Sequence, residues 1–202
     1  MGTDIHGWVE IKADLKSEWV KVDEVLDDRN YAVFDVLANG RGAGYIKPFA
    51  EARGLPEDYA GRLECTDDCH HVDGPEGYHY PLDWWIEHGH SHSWWDLREL
   101  AAHPGWDQEF TETKVVDRQT YLKWVLDGRK GIPYPHSGWV SGWGVIEANE
   151  ATDDWPWGWN YVRTSWKVSC RVPCERWIAW MSGVLDRHKD AAEIRIVFGF
   201  DS

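Results

Sequence analysis

The chain has 202 residues, of which 16 are tryptophan, and its 35 acidic and 21 basic residues give a formal net charge of -14. This many large side chains excludes a mainly disordered protein, because disordered segments lack the apolar groups that offset the entropy lost on ordering. The negative charge disfavours a protein that coats DNA or RNA, since it repels a polyanion. A small anionic ligand is compatible with this charge where a few arginines gather.

The N-terminal segment indicates a compartment. Residues 1–10 contain no basic segment followed by an apolar run, and the chain has no stretch of about 18 apolar residues that could span a bilayer. Both features predict a cytoplasmic protein that does not enter a membrane.

Apolar periodicity predicts the elements at the start of the chain. Residues 3–11 alternate between apolar and polar side chains, as expected of a half-buried strand with one polar face. Residues 19–22 predict its hairpin partner. Asn30 is a suitable N-cap for a helix over residues 31–38.

The remaining sequence predicts helices and strands separated by long loops. Ser93 and Asp96 are spaced as a capping box, so we expect a helix that begins at Ser93. The other predicted elements are helices at 56–63, 118–126 and 174–187 and strands at 160–170 and 193–200. Because strands and helices do not alternate regularly as in βαβ units, these elements predict an α+β fold. We expect a single domain over residues 1–202, with a mainly antiparallel sheet, helices packed on one face and long Trp-rich loops.

Two pairs of residues point to a metal centre. Asp4 and His6 are two residues apart on a predicted strand and therefore project in parallel, and His90 and His92 have the same spacing. Together they would supply carboxylate and imidazole donors suited to Zn²⁺, Mn²⁺ or Fe²⁺. The alternative is that these histidines are hydrogen-bonded structural residues or lie on a solvated sheet face.

Further polar residues are candidates for catalysis and for binding an anion. A carboxylate near the metal would act as general base, and the two predicted for this role are Glu10 and Asp201. A helix start with arginines can bind a phosphate, and aromatic rings nearby can stack on a base. The predicted substrate-binding residues are Arg29, Asn30, Tyr31, Arg41, Ser91 and Trp94. The glycine run around Arg41 also fits a plain surface turn.

The four cysteines form two pairs with the same spacing, Cys65 with Cys69 and Cys170 with Cys174. In a reducing compartment disulfides are not expected. The spacing predicts a structural zinc site made by all four thiolates. The alternative is that the cysteines pack as small apolar side chains.

Five short motifs are spread over the chain: Met1-Gly-Thr-Asp-Ile-His6, Arg29-Asn-Tyr31, Gly54-Leu-Pro-Glu-Asp58, His90-Ser-His-Ser-Trp94 and Arg195-Ile-Val-Phe-Gly-Phe-Asp201. Together they resemble a family of small proteins encoded by tailed phages and prophages. Those proteins typically open Met-Gly-Cys-Asp-Ile-His, and this chain has Thr3 in place of the cysteine. The resemblance implies a phage protein that acts in the cytoplasm of an infected bacterium.

The site residues and the resemblance together predict a phage-encoded, metal-dependent hydrolase. We expect a phosphoesterase that acts on a small, cyclic nucleotide such as a host defence signal. One alternative is a non-catalytic protein that sequesters the nucleotide with the same side chains. Another is an acidic inhibitor of a host enzyme. The predicted partner is a small anionic ligand, and we expect neither a nucleic-acid polymer nor a membrane as partner.

Overall fold

A computed structural model of the protein describes residues 3–26, 29–38, 46–60, 89–136, 140, 144–148 and 160–201. The chain divides into two compact units, which the sequence did not predict. The main unit comprises residues 1–108 and 170–202, and the insert unit comprises residues 109–169. The helices and the mainly antiparallel strands confirm the predicted α+β class. Among the described residues, no helix is long and apolar enough to cross a bilayer.

The sheet of the main unit has four strands in the order β2-β1-β7-β3, all antiparallel. These strands are β1 (Ile5–Lys12), β2 (Val20–Glu24), β3 (His90–Asp96) and β7 (Glu193–Phe200). The register pairs Ile5 with Phe200 and Ile11 with Ile194. Because paired residues project to the same side of a sheet, the alternate residues of β1 and β7 form one apolar face.

Among the described residues of the main unit there are three α-helices, α1 (Tyr31–Ala38), α2 (Leu97–Ala101) and α4 (Glu175–Arg187). Phe34 of α1 packs against Phe200 on the apolar face, with the ring centroids 5.0 Å apart. Trp95 of β3 donates a hydrogen bond to the Leu37 carbonyl oxygen over 3.4 Å. Helix α2 contacts α4, whose inward side buries Trp177, Met181 and Val184.

One predicted helix start is confirmed and another is wrong. Asn30 Oδ1 accepts hydrogen bonds from the backbone N–H groups of Ala32 and Val33, as expected of the N-cap of α1. Ser93 instead lies inside β3, and Asp96 caps α2. The pairing of β3 with β7 explains the error, because backbone bonds to a neighbouring strand override a local capping motif.

A second helix prediction also fails in the described part of the chain. Within residues 56–60 of the predicted helix 56–63, the structure has only a turn at residues 57–58. Residues 61–63 lie outside the described ranges.

The insert unit has a three-stranded sheet in the order β4-β6-β5. Its elements are β4 (Glu109–Asp117), α3 (Arg118–Leu126), β5 (Val145–Glu147) and β6 (Tyr161–Ser169). Strand β4 was not predicted, because its many charged and threonine residues give no clear apolar pattern. The buried core of the insert unit contains Val116, Tyr121, Trp124, Ile146, Val162, Trp166 and Val168.

Two glycines of the main unit are expected to respond to alanine in opposite directions. A Cβ on Gly7 would lie 2.2 Å from the Val197 carbonyl oxygen, so Gly7→Ala must displace β7 and should destabilise the fold by about 1–3 kcal/mol or more. The nearest atom to a Cβ on Gly183, inside α4, lies at 3.5 Å. Gly183→Ala should therefore stabilise the protein by about 0.5–1 kcal/mol. Urea denaturation of both variants tests this, and equal stabilities would contradict the packing of β1 on β7.

Candidate functional site

A polar cluster lies where the start of β1 meets the end of β7. We call it the Asp4–Asp201 cluster, and it consists of Asp4, His6, Arg29 and Asp201. His6 Nε2 is 2.9 Å from Asp201 Oδ2. The Asp4 backbone N–H donates to Asp201 Oδ1 over 3.0 Å, and the Asp201 N–H donates to the Asp4 carbonyl oxygen over 3.2 Å. Asp201 thus joins the two strand ends and orients the His6 ring.

Arg29 closes one side of this cluster. Its Nε donates to Asp4 Oδ1 over 2.6 Å and its Nη2 to Asp4 Oδ2 over 2.5 Å, which is a bidentate arginine–carboxylate pair. The neighbouring Asn30 caps α1 and also donates from Nδ2 to the Pro173 carbonyl oxygen over 2.6 Å. The Arg29 side chain is 55% exposed, so it is accessible to a ligand from solvent.

Hydrogen bonds within the cluster favour the charged forms of Asp201 and Arg29. Burial by itself would raise the pKa of Asp201, but the hydrogen bonds from His6 and from the Asp4 backbone lower it by more. The pKa of Asp201 therefore lies below its ordinary value. The hydrogen bonds to Asp4 raise the pKa of Arg29. At neutral pH the cluster contains an ionised carboxylate that accepts a hydrogen bond from an imidazole.

His90 lies at the start of β3, which flanks β7 on the side opposite to β1. It pairs with Phe200, and its ring centroid is 6.0 Å from that of Phe200. In this register His90 projects from the same face of the sheet as Phe200 and Ile5. His6 pairs with Gly199 and projects from the opposite face. Among the described residues, no group of three or more His, Cys, Asp or Glu side chains is placed to hold a metal ion. The predicted metal set of Asp4, His6, His90 and His92 stays a prediction.

The chain bulges between His90 and Ser93, where the register with β7 shifts. Ser91 has a φ of 52°, in the left-handed region that non-glycine residues seldom adopt, and its Oγ is 3.1 Å from His90 Nδ1. The Gly54 N–H donates to the His92 carbonyl oxygen over 2.9 Å. Because of this bulge, His90 and His92 are not placed as two alternate residues of a regular strand would be.

Glu10 lies in a second cluster, further along β1. Its side chain is fully buried, and Oε1 accepts a hydrogen bond from Arg195 Nε over 2.6 Å. Oε2 accepts from the Ala60 backbone N–H over 2.7 Å and from Trp8 Nε1 over 3.2 Å. Both carboxylate oxygens are thus occupied by protein donors. This is the environment of a structural ion pair.

Arg195 connects this second cluster to an aromatic surface. Its guanidinium lies 3.8 Å from the Trp19 ring centroid and donates to Asp58 Oδ1 over 2.9 Å. Burial would raise the pKa of Asp58, but the hydrogen bonds from Arg195 and Trp19 lower it below its ordinary value. Trp94, predicted to bind substrate, packs here beside the buried Trp8 and Val197. Sequence reasoning missed the role of Arg195, although an arginine between Ile194 and Ile196 in the strand was an available signal.

The other predicted site residues are dispersed. Tyr31 is exposed at the start of α1 and packs edge-on against Phe34. Arg41, Cys65 and Cys69 lie outside the described residues.

Cys170 and Cys174 are buried free thiols with their Sγ atoms 3.9 Å apart. The hydrogen bond with Cys170, together with burial, raises the pKa of the Cys174 thiol, so that Cys174 is a poor nucleophile at neutral pH. A zinc site made by all four cysteines stays a prediction.

No protein-family model matches the chain, and no curated protein and no solved structure shows a significant similarity to it.

Proposed function

We propose that the protein is a hydrolase that cleaves a phosphoester bond in a small nucleotide. The observation that carries the proposal is the hydrogen bond between His6 Nε2 and Asp201 Oδ2, 2.9 Å long and partly exposed to solvent. A carboxylate that orients an imidazole is a recurrent arrangement for a general base. In the proposed reaction His6 takes a proton from the attacking water as the water oxygen bonds to phosphorus, and Asp201 stabilises the imidazolium that forms. The bond from phosphorus to the ester oxygen then breaks, and the imidazolium returns its proton to that leaving oxygen.

Arg29 is the proposed phosphate ligand. A guanidinium binds phosphate and carboxylate with the same fork of donors, so a phosphate can replace Asp4 as the partner of Arg29. The N–H groups of Ala32 and Val33 are already bonded to Asn30, so the proposal relies on the arginine side chain and not on the helix N-terminus. The exposed ring of Tyr31, at the start of α1, is the proposed surface on which the base stacks.

The resemblance to phage proteins extends this proposal. A phage protein with this activity would act in the cytoplasm of its host, and its substrate would be a cyclic nucleotide that the host uses as a defence signal. The predicted metal is an alternative to this role of His6, because an imidazole whose Nε2 donates to Asp201 has one lone pair left, for either a metal or a proton. A divalent metal bound by Asp4 and His6 would polarise the phosphate and supply a more acidic water in place of the general base.

The predicted metal has a direct test. If it is resident, elemental analysis should find about one equivalent of Zn, Mn or Fe in the purified protein, and less in His6→Gln. A stoichiometric metal that His6→Gln and the His90→Ala/His92→Ala double variant both retain would contradict the predicted ligands. A protein free of metal that still cleaves its substrate would show that the His6–Asp201 pair acts without one.

The hydrolase proposal is tested by incubating the protein with a panel of linear and cyclic nucleotides and separating the products by chromatography. We expect one class of nucleotide to be converted by the protein and by His188→Gln, which changes a histidine that follows α4, and to be left intact by His6→Gln. Intact nucleotide recovered after denaturation of the complex would overturn hydrolysis in favour of sequestration. If no nucleotide binds, a protein partner becomes the better hypothesis.

A further inference from the structure

Two buried thiols face each other across a short turn of the main unit. Cys170 and Cys174 are free cysteines, and their Sγ atoms lie 3.9 Å apart in a hydrogen bond. Residues 170–174 form a turn that leads into α4. The sulfurs of a disulfide are about 2.05 Å apart, so closing one here has to bring the two Sγ atoms about 2 Å closer.

Both ends of this turn are held by the main unit. At its start, the Cys170 backbone N–H donates to the Gln108 carbonyl oxygen over 2.9 Å. At its end, Cys174 is the N-cap of α4, and its carbonyl oxygen accepts a backbone hydrogen bond of that helix over 3.0 Å. The middle of the turn is more open, since Val172 is 53% exposed. A movement of the two sulfurs toward each other is therefore absorbed by Val172 and Pro173.

The middle of the turn is bonded to the proposed phosphate site. The Pro173 carbonyl oxygen accepts a hydrogen bond from Asn30 Nδ2 over 2.6 Å. Asn30 also caps α1, and the residue before it is Arg29, the proposed phosphate ligand. The side chain of Asn30 thus connects the turn between the two thiols to the backbone that carries Arg29.

The two thiols differ in reactivity. The hydrogen bond from Cys174 lowers the pKa of the Cys170 thiol below its ordinary value, so Cys170 is the thiol that reacts first. The hydrogen bond with Cys170 is the main cause of the raised pKa of Cys174, and this cause no longer applies once Cys170 is oxidised. Both thiols are buried, which favours an oxidant close to water in size.

We propose that Cys170 and Cys174 are a reversible dithiol–disulfide pair that weakens phosphate binding at Arg29 when it is oxidised. The disulfide draws Pro173 away from Asn30 and loosens the start of α1, from which Arg29 projects. In a reducing compartment such a disulfide is transient, as is usual for redox-sensing pairs. The effect on phosphate rests on the proposed function, whereas the disulfide itself does not.

The oxidant is a small hydroperoxide such as hydrogen peroxide. The Cys170 thiolate attacks one peroxide oxygen, the O–O bond breaks, and a sulfenic acid and hydroxide form, the hydroxide taking up a proton to give water. The Cys174 thiol then attacks the Cys170 sulfur, and the sulfenic oxygen leaves as a second water. Two electrons pass from the two sulfurs to the peroxide, and a dithiol reductant returns them by thiol–disulfide exchange.

The disulfide is tested by peptide mass spectrometry on the full chain. The reduced protein is treated with hydrogen peroxide, its remaining thiols are blocked with N-ethylmaleimide, and it is digested with trypsin. Because trypsin cleaves after Arg171, a disulfide between Cys170 and Cys174 joins two separate peptides, residues 168–171 and residues 172–176. We expect this linked pair after peroxide treatment and its loss after treatment with dithiothreitol.

The matched control is Cys65→Ser/Cys69→Ser, which removes the other two cysteines of the chain and should leave the linked pair of peptides in place. Absence of linked peptides at peroxide concentrations that oxidise free cysteine would overturn the proposal. Linkage of Cys170 or Cys174 to Cys65 or Cys69 would overturn it as well.

The connection to Asn30 is measured by NMR on the ¹⁵N-labelled full chain. The side-chain amide resonance of Asn30 is assigned by its loss in Asn30→Asp, which keeps a capping oxygen. We expect oxidation to shift this resonance and to weaken the binding of inorganic phosphate about tenfold or more, the scale of one charge-assisted hydrogen bond. Cys170→Ser/Cys174→Ser should show neither response to peroxide. If that variant does not fold, Cys170→Ala replaces it, since one sulfur suffices to prevent the disulfide.

An Asn30 resonance that is unchanged in the oxidised protein would overturn the connection, as would equal phosphate affinities of the reduced and oxidised forms. Phosphate that binds neither form, or that Arg29→Gln still binds, would overturn the phosphate role of Arg29. The linked peptides and the Asn30 resonance are measured without any ligand, so the failure of the redox pair is distinguishable from the failure of the proposed function.

Discussion

Arg195→Leu is expected to lower the free energy of unfolding by about 3–5 kcal/mol, because it leaves the buried carboxylate of Glu10 without its cation. Among the described residues, the donors left to Glu10 would be the N–H groups of Ala60 and Trp8. The loss of the guanidinium also removes its contact with the Trp19 ring and its bond to Asp58. Denaturation by urea, followed by tryptophan fluorescence, measures the change.

A second variant separates the buried charge from the loss of packing. Glu10→Gln combined with Arg195→Leu removes both charges, so it should be more stable than Arg195→Leu alone. The matched control is Arg187→Leu, which breaks an ion pair with Asp23 whose arginine is 55% exposed and should cost about 0–1 kcal/mol. If Arg195→Leu is as mild as this control, Glu10 is not held as a buried charge and could serve as a catalytic carboxylate after all.

His6→Gln is expected to reduce kcat of the proposed hydrolysis by about 10²–10⁴-fold, the usual contribution of a general base. Asp201→Asn should also reduce kcat while leaving KM nearly unchanged, because the amide can keep the ring near its place without stabilising the imidazolium. Arg29→Gln should raise KM instead, since Arg29 is proposed to bind the phosphate. Steady-state kinetics of the three variants tests the assignment, and a uniform loss of activity through KM would contradict the role of His6 as a base.

Asp201 also predicts a dependence of stability on pH. Because the pKa of Asp201 is lowered in the folded protein, its contribution to stability is fully present above the unfolded value of about 3.9 and is lost as the pH falls through the lower folded value. The stability difference between the protein and Asp201→Asn should therefore be constant near neutral pH and shrink in acid. A difference that grows in acid would contradict the hydrogen bonds that Asp201 accepts from His6 and from the Asp4 backbone.

Most regular elements follow from local patterns that the sequence displays. The predicted helices 31–38 and 118–126 and the strand 193–200 coincide with α1, α3 and β7, because each has a clear apolar period and suitable ends. Strand β4 escapes such reasoning, since a strand stabilised mainly by pairing with β6 need not show an apolar face. Ser93 shows the opposite error, in which a local capping pattern is overridden by pairing with β7.

The sequence predicts which residues form the candidate site but not which of them contact each other. Alternation along β1 places Asp4, His6 and Glu10 on one face, and the structure agrees with that placement. Only the antiparallel register of β1 with β7 decides that His6 meets Asp201 and that Glu10 meets Arg195. The His6–Asp201 pair at one end of this face is partly exposed, whereas Glu10 further along the strand is fully buried.

By itself, the sequence determined the α+β class, the position of most helices and strands and the polar face of β1, because these depend on residues a few positions apart. The tertiary structure alone decided which charges meet and which stay unpaired, because those contacts join residues up to about 200 positions apart. The 16 tryptophans illustrate the division: their number showed that the chain must fold, and only the packing shows that Trp8 donates to the buried Glu10 and that Trp166 lies in the core of the insert unit.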